Sequence, residues 1–222
     1  MNSAALSRFL INEAELRQQA EREYLPTGIS AFDNALGGLP RGTLTEIWGP
    51  ATSGKTTFWN TFLARATAAG EFCALVDGGD TFDPVSAQAA GADLSKLLWV
   101  RCRNVEQALK ATDLLIHAGG WGMVVMDLSE IRPAAVRRIP MTWWYRFRRA
   151  VERTPTAFLV VEQEPFVKNC AVLALEFPAA PPVWSSGHPR FRVLRGTGVR
   201  VTPRKPVRAR EASFQTRARG IV

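Results

Sequence analysis

Along most of this chain, short apolar runs alternate with longer segments whose apolar residues recur every three or four positions. Met123–Asp127 and Ala157–Val161 are apolar almost throughout, and Phe72–Asp77, Leu97–Val100 and Ala171–Phe177 follow the same plan. Strands with no polar face suit a parallel sheet covered by helices on both sides. Between them, Val105–His117 sets Val105, Ala108, Leu109, Thr112, Leu115 and Ile116 on one stripe, and Gly119 and Gly120 close it. Helices are also predicted over Ala31–Leu36, Lys55–Ala69, Pro84–Ala90 and Thr142–Arg153, with a strand at Thr43–Trp48. The alternation predicts an α/β fold: a mostly parallel twisted sheet with helices on both faces.

The ends depart from this pattern. Ala4–Tyr24 reads as a charged amphipathic helix stopped by Pro26 and Gly28. After Phe177 the chain turns rich in Pro and Arg, with strands predicted at Phe191–Leu194 and Val199–Thr202 and disorder expected beyond Pro206. The expected organisation is therefore an N-terminal helix (1–25), a core (26–205) and a basic, disordered tail (206–222).

Charge sharpens the picture. The net charge is +8, yet from Ser186 onward ten bases face Glu211 alone, leaving 18 bases against 19 acids in the rest. A localised basic segment suits phosphate-backbone contact, and a solubilising tail is its alternative. The 222 residues suit one domain. No apolar run is long enough to span a bilayer, Met1–Glu15 lacks the layout of a secretory signal, and three scattered cysteines fit a reducing cytoplasm.

The chemistry concentrates at Gly49, Pro50, Ala51, Thr52, Ser53, Gly54, Lys55, Thr56 and Thr57, a full G-x-x-x-x-G-K-[ST] between a predicted strand and a predicted helix. The glycines let successive N–H groups turn toward phosphates, and the helix adds its positive end. Lys55 is expected to reach the β- and γ-phosphates of ATP, and Thr56 to ligate Mg²⁺. Asp127, at the carboxyl end of an apolar strand, is the expected second acid at the metal. Met141–Arg153 interleaves aromatics with arginine. Trp143, Phe147 and Val151 share one face and Arg146 and Arg149 another, so amphipathic packing is the favoured reading of the aromatics, with base stacking by Trp144 or Tyr145 the alternative.

With these residues in view, Thr27–Thr57 resembles the opening of the bacterial RecA recombinase core. Cys73–Asp77, Asp83-Pro84, Glu106–Leu109, the strand ending at Asp127, and Val160–Gln163 extend the likeness. The resemblance implies a RecA-like P-loop core, an adenine-side acid at Asp83 and a sensor glutamine at Gln163. It also implies single-stranded DNA as partner, and self-association. The recombinases' catalytic glutamate corresponds to Gly79 here, leaving Asp80 as the adjacent carboxylate, and Ser86 stands where an aromatic residue would stack on adenine. The segments matching the DNA-binding loops are short, at Leu128–Pro140 and Glu164–Asn169. A shortened core with an Arg-rich C-terminus is similar to the ImuA-type proteins that accompany translesion polymerases. Expected DNA contacts are Arg137, Arg138, Arg146, Arg149, Arg190, Arg192, Arg204 and Lys205.

The expectation is thus a cytoplasmic ATP- and DNA-binding protein of bacterial DNA repair, recombination and the SOS response. It would be an accessory to repair polymerases with weak or no hydrolysis. An active DNA-dependent ATPase and recombinase, or a SulA-like division inhibitor with a vestigial site, are the alternatives.

Overall fold

The computed structural model describes residues 22–206 and 209–217. The expected N-terminal helix lies outside the described residues except at its end. There Tyr24–Leu25 forms β1, paired antiparallel with Leu39–Pro40, β2. Extended backbone at this point follows from Pro26, which disfavours helix in the residue before it.

The main sheet contains β3 (Thr43–Trp48), β4 (Cys73–Asp77), β5 (Leu97–Arg101), β6 (Met123–Asp127), β7 (Ala157–Glu162) and β8 (Leu173–Glu176). These six run parallel in the order β8-β3-β7-β6-β4-β5. The helices are α1 (Ser30–Leu36), α2 (Lys55–Ala68), α3 (Pro84–Ala89), α4 (Val105–Ala118), α5 (Pro133–Val136) and α6 (Met141–Val151). The expected α/β architecture with a largely parallel sheet is what forms.

Each central strand divides its side chains between two cores. Met123, Val125, Leu159 and Val161 face α1 and α2, among Phe32, Phe58, Trp59 and Phe62. Val124, Met126, Phe158 and Val160 face α4 and α6, among Leu109, Ile116, Trp144, Phe147 and Val151. Both faces being apolar is what removed the strand periodicity from the sequence. Phe58 anchors the first core, with ring centroids 5.0 Å from Phe32, 4.2 Å from Phe62 and 4.7 Å from Phe177, all edge to face.

The C-terminal segment corrects two expectations. Phe191–Leu194 is not a continuous strand. Pro189–Phe191 is a 3-10 turn, favoured by the fixed φ of Pro189 and by Arg190 N–H donating to His188 Nδ1 at 3.4 Å. Within the stretch beyond Pro206 where disorder was expected, Ala212–Arg217 instead forms β11, antiparallel to β10 (Leu194–Lys205). β10 in turn pairs antiparallel with β8 and with β9 (Pro182–Trp184), extending the sheet by three strands. Order follows from burial: Ala212, Val199 and Val201 join the first core and Phe214 packs against it, 6.0 Å from the Phe58 ring.

Candidate phosphate site

The carboxyl ends of β3, β4, β6 and β7 share one edge of the sheet, where ligands of open α/β sheets bind. β3 runs directly into Gly49, and α2 begins at Lys55 behind an N-cap at Gly54 with φ 87°. The turn has no room for side chains at its two glycines. A Cβ on Gly49 would stand 2.0 Å from the Phe177 carbonyl oxygen, and one on Gly54 2.5 Å from Val199 Cγ2. Thr52, also at positive φ (62°), completes the curl. The first turn of α2 contains no acid, so its N–H groups face outward uncompensated by local negative charge.

Lys55 is buried, its Nζ donating to Gly49 O at 2.6 Å, Pro50 O at 2.8 Å and Ser53 Oγ at 3.3 Å. Burial lowers its pKa, while the charges of Asp127 and Glu130 oppose that shift. Asp127 is buried at the end of β6, its Oδ1 accepting from Ser129 N at 2.9 Å. Burial raises its pKa and neighbouring Asp77 adds to the rise, with Lys55 pulling the other way. A cavity of about 380 Å³ opens over this arrangement, lined by Ala51–Thr57, Ser129, Glu130, Gln163 and Thr197. Gln163, just past β7, donates from Nε2 to Ser129 O at 2.6 Å and so ties the ends of β6 and β7 together. The expected phosphate loop and Gln163 therefore meet at one cavity, while Asp127 is not among the residues lining it and reaches Lys55 through its charge.

Other expected residues lie elsewhere. Asp80, the expected adjacent carboxylate, has both its oxygens held by Arg101, at 2.5 and 2.7 Å, and it lines another cavity with Gly78, Gly79 and Cys102. Its positive φ of 55° turns it that way, and the guanidinium holds its carboxyl below the usual range. Asp83 caps α3, accepting from Val85 N at 3.0 Å and Ser86 N at 3.2 Å, and its carboxylate also bonds the Ser86 hydroxyl. Trp144 is fully buried and unavailable for stacking, whereas Tyr145 beside it is half exposed.

The basic candidates divide. Arg137 pairs with Glu164 at 2.8 Å, and Arg146 grips Asp113 through two bonds of 2.5 and 2.6 Å. Arg204 is held by Glu176, and Lys205 Nζ donates to Ala171 O at 2.5 Å. Arg138, Arg149, Arg190 and Arg192 are exposed and form no ion pair with a described residue. Sequence reasoning missed Ser129, Glu130 and Thr197 as walls of the cavity. Only the fold brings them there, and no local motif announces them.

Residues 10–136 match the family model for the RecA N-terminal domain, more than half of the chain. The chain belongs to the RecA family. It is 47% identical over 107 residues to Protein RecA of Symbiobacterium thermophilum, covering 47% of this chain and 31% of that protein. Identity is 44% over 118 residues with Protein RecA of Brucella anthropi, covering 52% and 33% of the two chains. With Protein RecA of Deinococcus radiodurans it is 42% over 116 residues, covering 51% and 32%. The matched part of this RecA-family chain thus spans about a third of the length of these relatives.

Proposed function

We propose that this RecA-family chain is a nucleotide-switched, DNA-binding protein of bacterial repair. The observation that carries the reading is buried Lys55, folded into the Gly49–Ser53 loop at the start of α2. An ammonium taken out of water among carbonyl oxygens is held where an anion would replace its bonds. The backbone N–H groups of Gly54–Thr57 would receive the phosphates of ATP, and Lys55 would swing to the β- and γ-oxygens.

The residues present fit Mg²⁺. Thr56 offers a hydroxyl at the cavity, and Asp127 is a buried carboxylate whose charged form is supported by Ser129 and Lys55 but still penalised by burial, which a cation would offset. Bound there, the ion would neutralise charge on the β- and γ-phosphates. Asp83, capped against α3, remains the proposed adenine-side acid.

Single-stranded DNA is the proposed partner, met by the exposed Arg138, Arg149, Arg190 and Arg192. Nucleotide would act first as an ordering ligand, favouring a self-associating or polymerase-binding state in an SOS-linked, cytoplasmic accessory role. With Gly79 at the family's catalytic position, that role asks little turnover of the site.

The test measures binding of a fluorescent ATP analogue, and of single-stranded DNA at several salt concentrations, for the wild type and Lys55→Ala. Nucleotide binding lost in Lys55→Ala, with DNA affinity that rises with nucleotide only in the wild type, supports the proposal. Equal nucleotide affinity in both proteins would refute the phosphate site. DNA binding indifferent to nucleotide, with a steep salt slope, would reduce the contact to electrostatics. Arginine-to-serine changes suit this work better than truncation after Pro189, which would strip β10 and β11 from the sheet.

A further inference from the structure

Building on the nucleotide reading, we infer that Glu130 is the general base of this site. Glu130 lies three residues beyond Asp127, in the turn between β6 and α5, and lines the same cavity as Lys55, Thr56 and Gln163. A Cβ built on Gly79 would fall 2.5 Å from Glu130 Cβ and 3.2 Å from its Cγ. Glu130 therefore fills the space that a side chain at position 79 would need. The bare backbone on one loop and the carboxylate on the other are two sides of one packing arrangement.

Among the described residues the Glu130 carboxylate forms no hydrogen bond and no ion pair. It is exposed, and its charge still reaches Lys55. A free carboxylate on the wall of a phosphate cavity repels the anion that the rest of the cavity attracts. Binding alone is better served without it. Such a group gains a purpose when a proton must leave a water molecule beside the terminal phosphate. Asp80, locked to Arg101 on another cavity, is not placed to compete.

The step balances without a further reagent. Glu130 accepts one proton from a water whose oxygen forms the new bond to the γ-phosphorus. The bond from that phosphorus to the bridging oxygen breaks, and ADP leaves with the electron pair. The proton then passes from Glu130 to solvent.

The experiment is single-turnover ATP hydrolysis by the full chain, with Mg²⁺ and with or without single-stranded DNA, alongside ATP-analogue affinity. Glu130→Gln, near-isosteric and on the surface, is expected to slow hydrolysis by about 100-fold or more, with affinity unchanged or tighter because a repelling charge is gone. Three results overturn the inference while leaving the nucleotide site standing. They are a wild-type rate in Glu130→Gln, a wild type no faster than Lys55→Ala, or a rate recovered simply by raising Mg²⁺. The last would mark Glu130 as a carboxylate of the metal's water shell. A loss confined to Asp80→Asn would also overturn it. Absence of ATP binding in the wild type would remove both readings.

Discussion

Glu46 and Glu162 form a buried acid pair on neighbouring strands, and replacing Glu162 with Gln tests how the fold tolerates it. Both side chains point to the α6 face of the sheet and are almost wholly shielded, at 2% and 0% exposure. Burial raises the Glu46 pKa, but its Oε1 accepts from Phe166 N at 2.7 Å and Val167 N at 2.8 Å, and these bonds, absent at Glu162 Oε1, favour its charged form over that of its neighbour. Glu162 has one weak backbone donor, Phe166 N at 3.3 Å, and its Oε1 has no donor. Burial, then the charge of Glu46, push the Glu162 pKa well above 4.5. The pair is best described as Glu46 ionised, with Glu162 protonated and donating to it.

The sign follows from proton counting. Above the ordinary carboxyl pKa the native state holds one proton more than the unfolded chain, so stability falls as pH rises toward the raised native pKa. Each such pH unit costs about 1.4 kcal/mol. Between the reference value of 4.5 and pH 7, the loss from this one proton is therefore on the order of a few kcal/mol at most. Gln keeps an N–H donor for Glu46 and removes the titration. Guanidinium unfolding followed by tryptophan fluorescence, at half-unit steps from pH 4.5 to 8, measures the difference. Glu162→Gln should equal the wild type near pH 4.5 and exceed it by roughly 1–3 kcal/mol at pH 7. Parallel stability curves, or a variant weaker than the wild type at pH 7, would refute the shared proton.

Two further perturbations probe the site and the core. Gly54→Ala should lower both nucleotide affinity and stability, by about 1–3 kcal/mol in the latter. The positive φ and the Val199 contact both oppose it, and part of the cost should vanish in a Val199→Ala background, read by denaturation of the four members of the cycle. Trp144→Ala should cost about 3–5 kcal/mol, whereas Tyr145→Ala should leave the unfolding midpoint within error. Equal effects would mean that the two aromatics of α6 are misassigned between core and surface.

The strands of the sheet were legible because their physics is local. Met123–Asp127 and Ala157–Val161 needed apolar residues on both faces, and acids or glycines at their ends mark where backbone leaves the sheet. The phosphate loop was legible for a related reason: its geometry depends on glycines at fixed separations and on the helix that follows. Glu130 carries no such signature. Its place opposite Gly79 depends on β4 and β6 lying side by side, with Asp77 level with Asp127, a pairing between positions 50 residues apart. Asp80 illustrates the converse, since adjacency in sequence suggested a role, whereas its backbone angle and Arg101 hold its carboxylate at another cavity.

The basic C-terminal segment was read only in part: the strand expected at Val199–Thr202 lies within β10, but charge hid how far the alternation runs. Val199, Val201 and Pro203 alternate as the buried face of β10, while Arg200 and Arg204 occupy the exposed one. The arginines are thus the solvent side of a structural strand whose other side closes the first core. Position 197 on the same strand lines the phosphate cavity, and Val199 abuts Gly54 at the head of α2. Charge and cavity are joined within a few residues of rigid backbone, so deleting the segment removes both at once. Loss of DNA binding after such a deletion would say nothing about which surface met DNA. Only side-chain changes that leave β10 paired to β8 and β11 can separate the basic face from the nucleotide pocket.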